Sequence, residues 1–146
     1  MAKNSINQWT LTILRVVLGV IFAYHGYVKL FVKGALPGTA QFFSAIGIPL
    51  ANYAAVLVAF VEFFGGLALI LGVFTRWVSV LLILEMLVAL FKVHLKQGFF
   101  ITPKAYGYEF LLLILAALVV VLANGAGKLS LGKLSLGKLF KSKNLQ

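Results

Sequence analysis

The sequence predicts an all-α membrane protein, an antiparallel four-helix transmembrane bundle with a short interfacial helix between spans one and two. Three observations predict it. Hydrophobic residues make up 62% of the chain and the mean hydropathy is +1.07, too apolar to divide into a soluble core and a polar surface. Residues 9–30, 53–74, 77–95 and 106–124 are apolar stretches of about 20 residues, the length that crosses a hydrocarbon core as a helix. Finally, the residues that break helices and most of the charges fall between these stretches.

The 146 residues provide for one domain. Residues 1–126 form the four-span unit and residues 127–146 a basic tail rich in Gly, Lys, Leu and Ser. Thirteen Lys and Arg against three acids give a formal charge of +10. These cations are scattered over short loops and the tail, so they form a rim for anionic lipid headgroups and not a nucleic-acid face. The absence of cysteine excludes a thiol nucleophile, disulfide exchange and thiolate-held metal or iron–sulfur centres on this chain. Lys3 followed by an apolar run resembles a signal peptide. Arg15 interrupts that run and no small-x-small site follows, which predicts a retained first helix.

In chain order, the first span carries Arg15, His25 and Lys29. Arg15, Gly19, Phe22, Gly26 and Lys29 recur at helical spacing and share one face, with His25 beside it. An uncompensated cation in hydrocarbon costs several kcal/mol, so this face must turn inward. Gly34, Pro37, Gly38, Gly47 and Pro49 then break the chain around a short helix expected from Thr39 to Ile46. The second span carries Glu62 near its middle, followed by the small pair Gly65-Gly66 that permits close helix approach. The sequence Thr75-Arg76-Trp77 reads as a tight turn. The third span carries Glu85 at mid-depth and ends at His94; Gly98 and Pro103 mark a loop, and Glu109 opens the fourth span. An anion is favoured at such a helix N-terminus.

Four spans place both termini on one side, with eight cations there (Lys3, Arg15, Arg76 and five tail lysines) against five on the other (Lys29, Lys33, Lys92, Lys96, Lys104). The positive-inside rule then expects a multi-pass protein of the inner (plasma) membrane with both termini cytoplasmic. The tail repeat GKLSL-GKLSL-GKLFK matches neither helix nor strand. It reads either as a segment on the headgroups or as a solubilising tail.

The chemistry-bearing residues are few. Glu62 with Arg15 and Lys29 reads either as a buried acid that holds and releases a proton or a ligand head group, or as an ion pair that fixes helix register. His25 and His94 sit near the outer boundary. They read as hydrogen-bonding or proton-relay groups in preference to a pair of haem ligands, and two histidines without carboxylates do not complete a metal site, so none is predicted. Glu62, Glu109 and His94 are the candidate catalytic groups; Arg15, His25, Lys29, Glu62, His94 and Glu109 are the candidate ligand contacts. Phe22, Tyr24, Phe63 and Phe64, among other aromatics, suit either a slot for a flat ligand or lipid-facing packing.

The stretches LRVVLGVIFAYHGYVKL, VEFFGGLALILGVFTRW, HLKQGFF with YGYE, and ANGAGKLSLGKL together resemble the DoxX family of small four-helix membrane proteins, from about Leu14 to Lys133. The residues that carry the resemblance include Arg15, Gly19, Gly26, Lys29, Glu62, Gly66, Gly72, Arg76, His94, Gly98 and Glu109; Glu85 is not among them. The family includes a subunit of a thiosulfate:quinone oxidoreductase, so the resemblance implies quinone-linked or oxidative-stress redox metabolism. It implies a quinone-like ligand in a pocket of His25, Lys29, Glu62, His94 and Glu109, and electrons from a redox partner subunit. A non-catalytic binder or carrier of a lipid-soluble molecule, a structural subunit of a membrane complex, and a homo-oligomer remain open beside it.

Overall fold

A computed structural model of the chain describes residues 5–103 and 105–132. The tail repeat from residue 133 onward, and the topology-setting Lys3 and Lys104, lie outside the described residues. Five α-helices occur among the described residues: α1 (Ser5–Phe31), α2 (Ala35–Ala45), α3 (Ala51–Leu71), α4 (Thr75–Lys92) and α5 (Glu109–Asn124). A 3-10 turn, His94–Gln97, follows α4.

The long helices touch in a closed circuit, α1 to α3, α3 to α4, α4 to α5 and α5 back to α1, while α2 rests on α3 and the end of α1. The core inside that circuit is Leu11, Leu18 and Phe22 from α1, Leu69 from α3, Leu82 from α4, and Ile114, Leu118 and Val121 from α5. Their spacings of seven and four along α1, and of four and three along α5, are those of a single helix face. The outward faces are apolar too: Ile13, Val17, Val20, Leu57, Phe60, Leu84, Val88, Leu113 and Val119 are all exposed. A helix apolar all round belongs in a protein interior or in lipid.

Two helices, α1 over Gln8–Phe31 and α3, are long and apolar enough to cross a membrane, and only 39% and 33% of them is buried, where the core helix of a soluble protein is mostly buried. The expected spans three and four are shorter than the sequence reading. α4 has 18 residues and carries Arg76, Glu85 and Lys92. α5 has 16 residues and begins at Glu109, three residues late, because the chain before it is tied into a loop: Tyr108 N–H donates to Gly98 O at 3.1 Å and Glu109 N–H to Phe99 O at 3.1 Å.

Other boundaries shift for local reasons. α2 starts at Ala35, a turn before the expected Thr39, because Pro37 falls in its first turn, where a missing N–H costs nothing. α3 stops at Gly72, whose φ of 73° closes the helix as Val73 N–H bonds Ala68 O (2.9 Å) and Gly72 N–H bonds Leu69 O (3.2 Å). Thr75 therefore opens α4 and does not sit in a turn. His94, expected at the end of span three, lies in the 3-10 turn beyond it.

α1 and α3 run in opposite directions with their backbones in contact. A Cβ on Gly19 would stand 2.7 Å from Gly66 O, and one on Gly26 would collide with the Phe63 backbone. The expected Gly65-Gly66 strip is divided between partners, Gly66 facing α1 and Gly65 facing Val78 of α4. This close register brings Lys29 opposite Glu62 and Arg15 opposite the end of α3.

Candidate functional site

Lys29 of α1 and Glu62 of α3 form an ion pair through Nζ and Oε2. The Glu62 side chain is 7% exposed and that of Lys29 19%, so the pair is shielded from solvent on the carboxylate side. From α4, Glu85 lines the same cavity as Lys29 and Glu62. Its Oε2 is buried and has no partner. The sequence places Glu85 at mid-depth in the bundle but not among the candidate site residues. The signal that finds it is elementary: a lone acid midway along an apolar helix must be met by something.

Above this cluster lies a cavity of about 930 Å³ whose walls are α2, α3 and α4. Lys29, Glu62, Glu85, His94 and Gln97 mark its polar end, and residues such as Phe42, Leu57, Val61, Leu84 and Val88 line the rest. The cavity is open to the surface, and its lining residues Leu57 and Leu84 are exposed, at 63% and 56%. The volume and the proportion of apolar to polar lining are those of a small-molecule site. A second cavity of about 270 Å³, between α1, α4, α5 and the loop after α4, is lined by Phe22, His25, Glu62, Met86, His94 and Tyr106 among others. Glu62 and His94 line both cavities and so form part of the partition between them.

His94 is oriented by the loop. Its Nδ1 stands 2.7 Å from Tyr106 O. A carbonyl only accepts, so Nδ1 carries the hydrogen of this bond. Tyr106 N–H in turn donates to Gln97 Oε1 at 2.7 Å, tying the loop to the 3-10 turn. Glu109 is placed differently from the expected pocket. Its Oε1 accepts from Ile101 N–H at 2.8 Å, and it lines neither cavity. His25 reaches only the smaller cavity and is otherwise exposed.

Arg15 does not meet Glu62, and the expected three-residue constellation is corrected to Lys29, Glu62 and Glu85. The Arg15 guanidinium is 1% exposed and caps the C-terminus of α3. Nη1 donates to Leu69 O and, at 3.1 Å, to Ile70 O, while Nη2 donates to Leu129 O at 2.6 Å. Last-turn carbonyls have no helical partner and sit at the negative end of the helix dipole, so a cation is favoured there. Ser130 Oγ donates to Gly72 O at 2.7 Å, and Lys128 N–H donates to Thr12 Oγ1 at 3.1 Å, closing the chain after α5 over this end.

A helical, apolar-surfaced chain with its ion pair on the inside is a membrane-associated α-helical protein with an internal polar-ended cavity. The chain belongs to the DoxX family, whose model matches residues 10–95, taking in Arg15, His25, Lys29, Glu62, Glu85 and His94 and leaving out α5. The family is membrane-associated. The chain is similar to the protein of Bacillus subtilis (strain 168) named "Putative oxidoreductase CatD", at 39% identity over 87 residues, which is 60% of this chain and 61% of that protein. It spans less than two thirds of that relative's length. It is also similar to an uncharacterized protein of Haemophilus influenzae (strain Rd), at 34% identity over 122 residues, 83% of this chain and 87% of that one. No solved structure matches.

Proposed function

We propose that this chain is an inner-membrane protein that binds a small, lipid-soluble, polar-headed molecule of the quinone type in the cavity of about 930 Å³, in the service of redox metabolism. The observation that carries the reading is the amphipathic design of that cavity: a charged and hydrogen-bonding end at Lys29, Glu62, Glu85 and His94, an apolar body, and an opening to the surface. Such a site takes a polar ring at depth and leaves an apolar tail in lipid.

In this reading α1, α3, α4 and α5 are four antiparallel spans and α2 lies at the interface as the outer wall of the cavity. Both termini are cytoplasmic. The residues present fit a quinone: its oxygens find donors at the Lys29 end, and a bound quinone supplies two-electron, two-proton redox chemistry. Lys29 and Glu62 hold the head group in place, and His94, oriented by Tyr106, offers a route for a proton between the two cavities. The electrons come from a partner subunit or soluble donor, in keeping with the oxidoreductase name of the Bacillus relative.

Mass spectrometry and an absorption spectrum of gently purified protein test the proposal. A co-purifying quinone is expected, retained in Glu85→Gln and lost in Glu62→Gln or His94→Ala. Removing one partner of a shielded ion pair costs about 3–5 kcal/mol, so Glu62→Gln is also expected to melt lower than Glu85→Gln. A protein carrying only phospholipid, with no affinity for added quinone, overturns it.

A further inference from the structure

We propose that α2 is a hinged lid on the large cavity, loose in the ligand-free protein and drawn towards α4 when a neutral amphiphile fills the space between them. This rests on the cavity being a ligand site, as proposed above.

The argument begins with how little holds α2 down. Of its 11 residues only Ala40 is buried, whereas the 16 residues of α5 bury Leu111, Ile114, Leu118 and Val121. α2 packs on α3 and on the end of α1, with nothing comparable against α4. Among the described residues its one side-chain hydrogen bond stays within the helix, Thr39 Oγ1 donating to Ala35 O at 2.9 Å. An element with few buried contacts and no polar ties to its neighbours opens more readily than the molecule unfolds.

The two connections of α2 allow such a movement. Gly34 before it and Gly47 after it have φ of 83° and 73°, and a Cβ at either would meet nothing within 4 Å. Backbone that is neither packed nor restricted by a side chain suits a hinge, which absorbs its rotation at a few element-terminal residues. The bonds beside these glycines are local: Ala35 N–H donates to Val32 O and Gly47 N–H to Ser44 O, both at 3.1 Å. Rotation about them carries α2 as one piece and breaks no hydrogen bond to another helix.

The cavity supplies the reason to close. Thr39, Phe42 and Ile46, at spacings of three and four, line it from the α2 side, and Leu81, Leu84 and Val88, at the same spacings, line it from α4. The two helices thus face each other across the cavity of about 930 Å³. A molecule that fills it touches both faces and provides the packing that α4 does not give α2 directly. Contacts made only in the closed arrangement shift the population towards it. The Lys29–Glu62 pair stays in place, because α1 and α3 approach backbone to backbone at Gly26 and Gly66. The site then fixes a head group on a rigid floor and adapts to the apolar body with a movable wall.

The test uses the absence of cysteine in the chain. Nitroxide labels on Gln41→Cys with Phe91→Cys report α2 against α4, and on Tyr53→Cys with Phe91→Cys they report α3 against α4. All three positions are exposed and none lines the large cavity. In phosphatidylcholine nanodiscs, double electron–electron resonance is expected to give a broader distance distribution for the α2 pair than for the α3 pair. Decylubiquinone is expected to narrow it and shift its mean by more than about 2 Å, with the α3 pair unchanged. Hydrogen exchange of the unsubstituted chain reads the same motion without labels. At about ten times its Kd, decylubiquinone is expected to slow exchange of the α2 amides about tenfold. An α2 pair as narrow as the α3 pair, or α2 exchange unaltered by bound decylubiquinone, overturns the lid and leaves the cavity reading intact. Failure of the unsubstituted chain to retain decylubiquinone above empty nanodiscs overturns the cavity reading and this inference with it.

Discussion

At Gly26 the approach of α1 to α3 leaves no room for a methyl group, because the Phe63 backbone occupies the space a Cβ would take. Gly38, on α2, has nothing within 4 Å of that position. The same substitution therefore has opposite outcomes at the two sites. Gly26→Ala forces backbones apart and is expected to cost about 1–3 kcal/mol or more, whereas Gly38→Ala gains helix propensity and is expected to be neutral or stabilising by up to about 1 kcal/mol. Thermal melts of the two variants in one detergent check this, and equal shifts would remove the close-packed register that brings Lys29 to Glu62. Arg15 obeys similar local logic. A Cβ on Gly72 would stand 2.6 Å from its Nη1, and Gly72 already needs a positive φ, so backbone conformation and guanidinium together require glycine there. The planar fork serves three carbonyls from two chain segments, a task that the single ammonium of lysine does not reproduce.

Among the elements, the segment between α4 and α5 illustrates where the sequence is legible and where it is not. Gly98 and Pro103 mark a loop correctly, and Glu109 stands at the head of the last helix as its charge suggests. What spacing along one chain does not contain is the direction in which Glu109 turns. It reaches back to the Ile101 N–H and holds the loop, while His94, freed from helical geometry in a 3-10 turn, serves the cavities. Glu109→Ala is accordingly expected to cost about 1 kcal/mol and to raise hydrogen exchange at Ile101. It is expected to leave binding of a neutral amphiphile in the large cavity unchanged. A loss of binding as large as that in Glu62→Gln would return Glu109 to the ligand site. α2 gives the complementary lesson: its composition revealed a short helix between α1 and α3, but its place as a cavity wall depends on how it rests on α3.

For the whole molecule, the sequence revealed that buried charges must meet but not which ones, because helix rotation is set by packing. Arg15 and Lys29 share a face of α1, four turns apart, and the antiparallel register with α3 sends one to the helix end and the other to Glu62. The chain is thereby polarised along its axis. At one end gather Arg76, with Nη2 3.3 Å from Ala123 O, and Lys128, with Nζ 5.2 Å from the Trp9 ring centroid; at the other lie the Lys29 pair and the loop around Phe100. Both tryptophans, Trp9 and Trp77, lie at the first end, as aromatic residues do at a membrane interface, and the topology proposed above makes that end the cytoplasmic one. The absence of cysteine makes this testable without a background. Single substitutions Asn124→Cys, at the end of α5, and Phe100→Cys, 68% exposed in the loop before it, place thiols at opposite ends. If α5 crosses the membrane with the Arg76 end inside, a membrane-impermeant maleimide added to intact spheroplasts is expected to label Phe100→Cys alone, and to reach Asn124→Cys only in inverted vesicles. α5 spans only about 24 Å as a helix, short of a hydrocarbon core of about 30 Å, so the loop before it must complete the crossing. Labelling of both thiols from the same side would mean that α5 enters the bilayer without traversing it, and the four-span arrangement would give way to one in which α1 and α3 cross and the short helices pack against them.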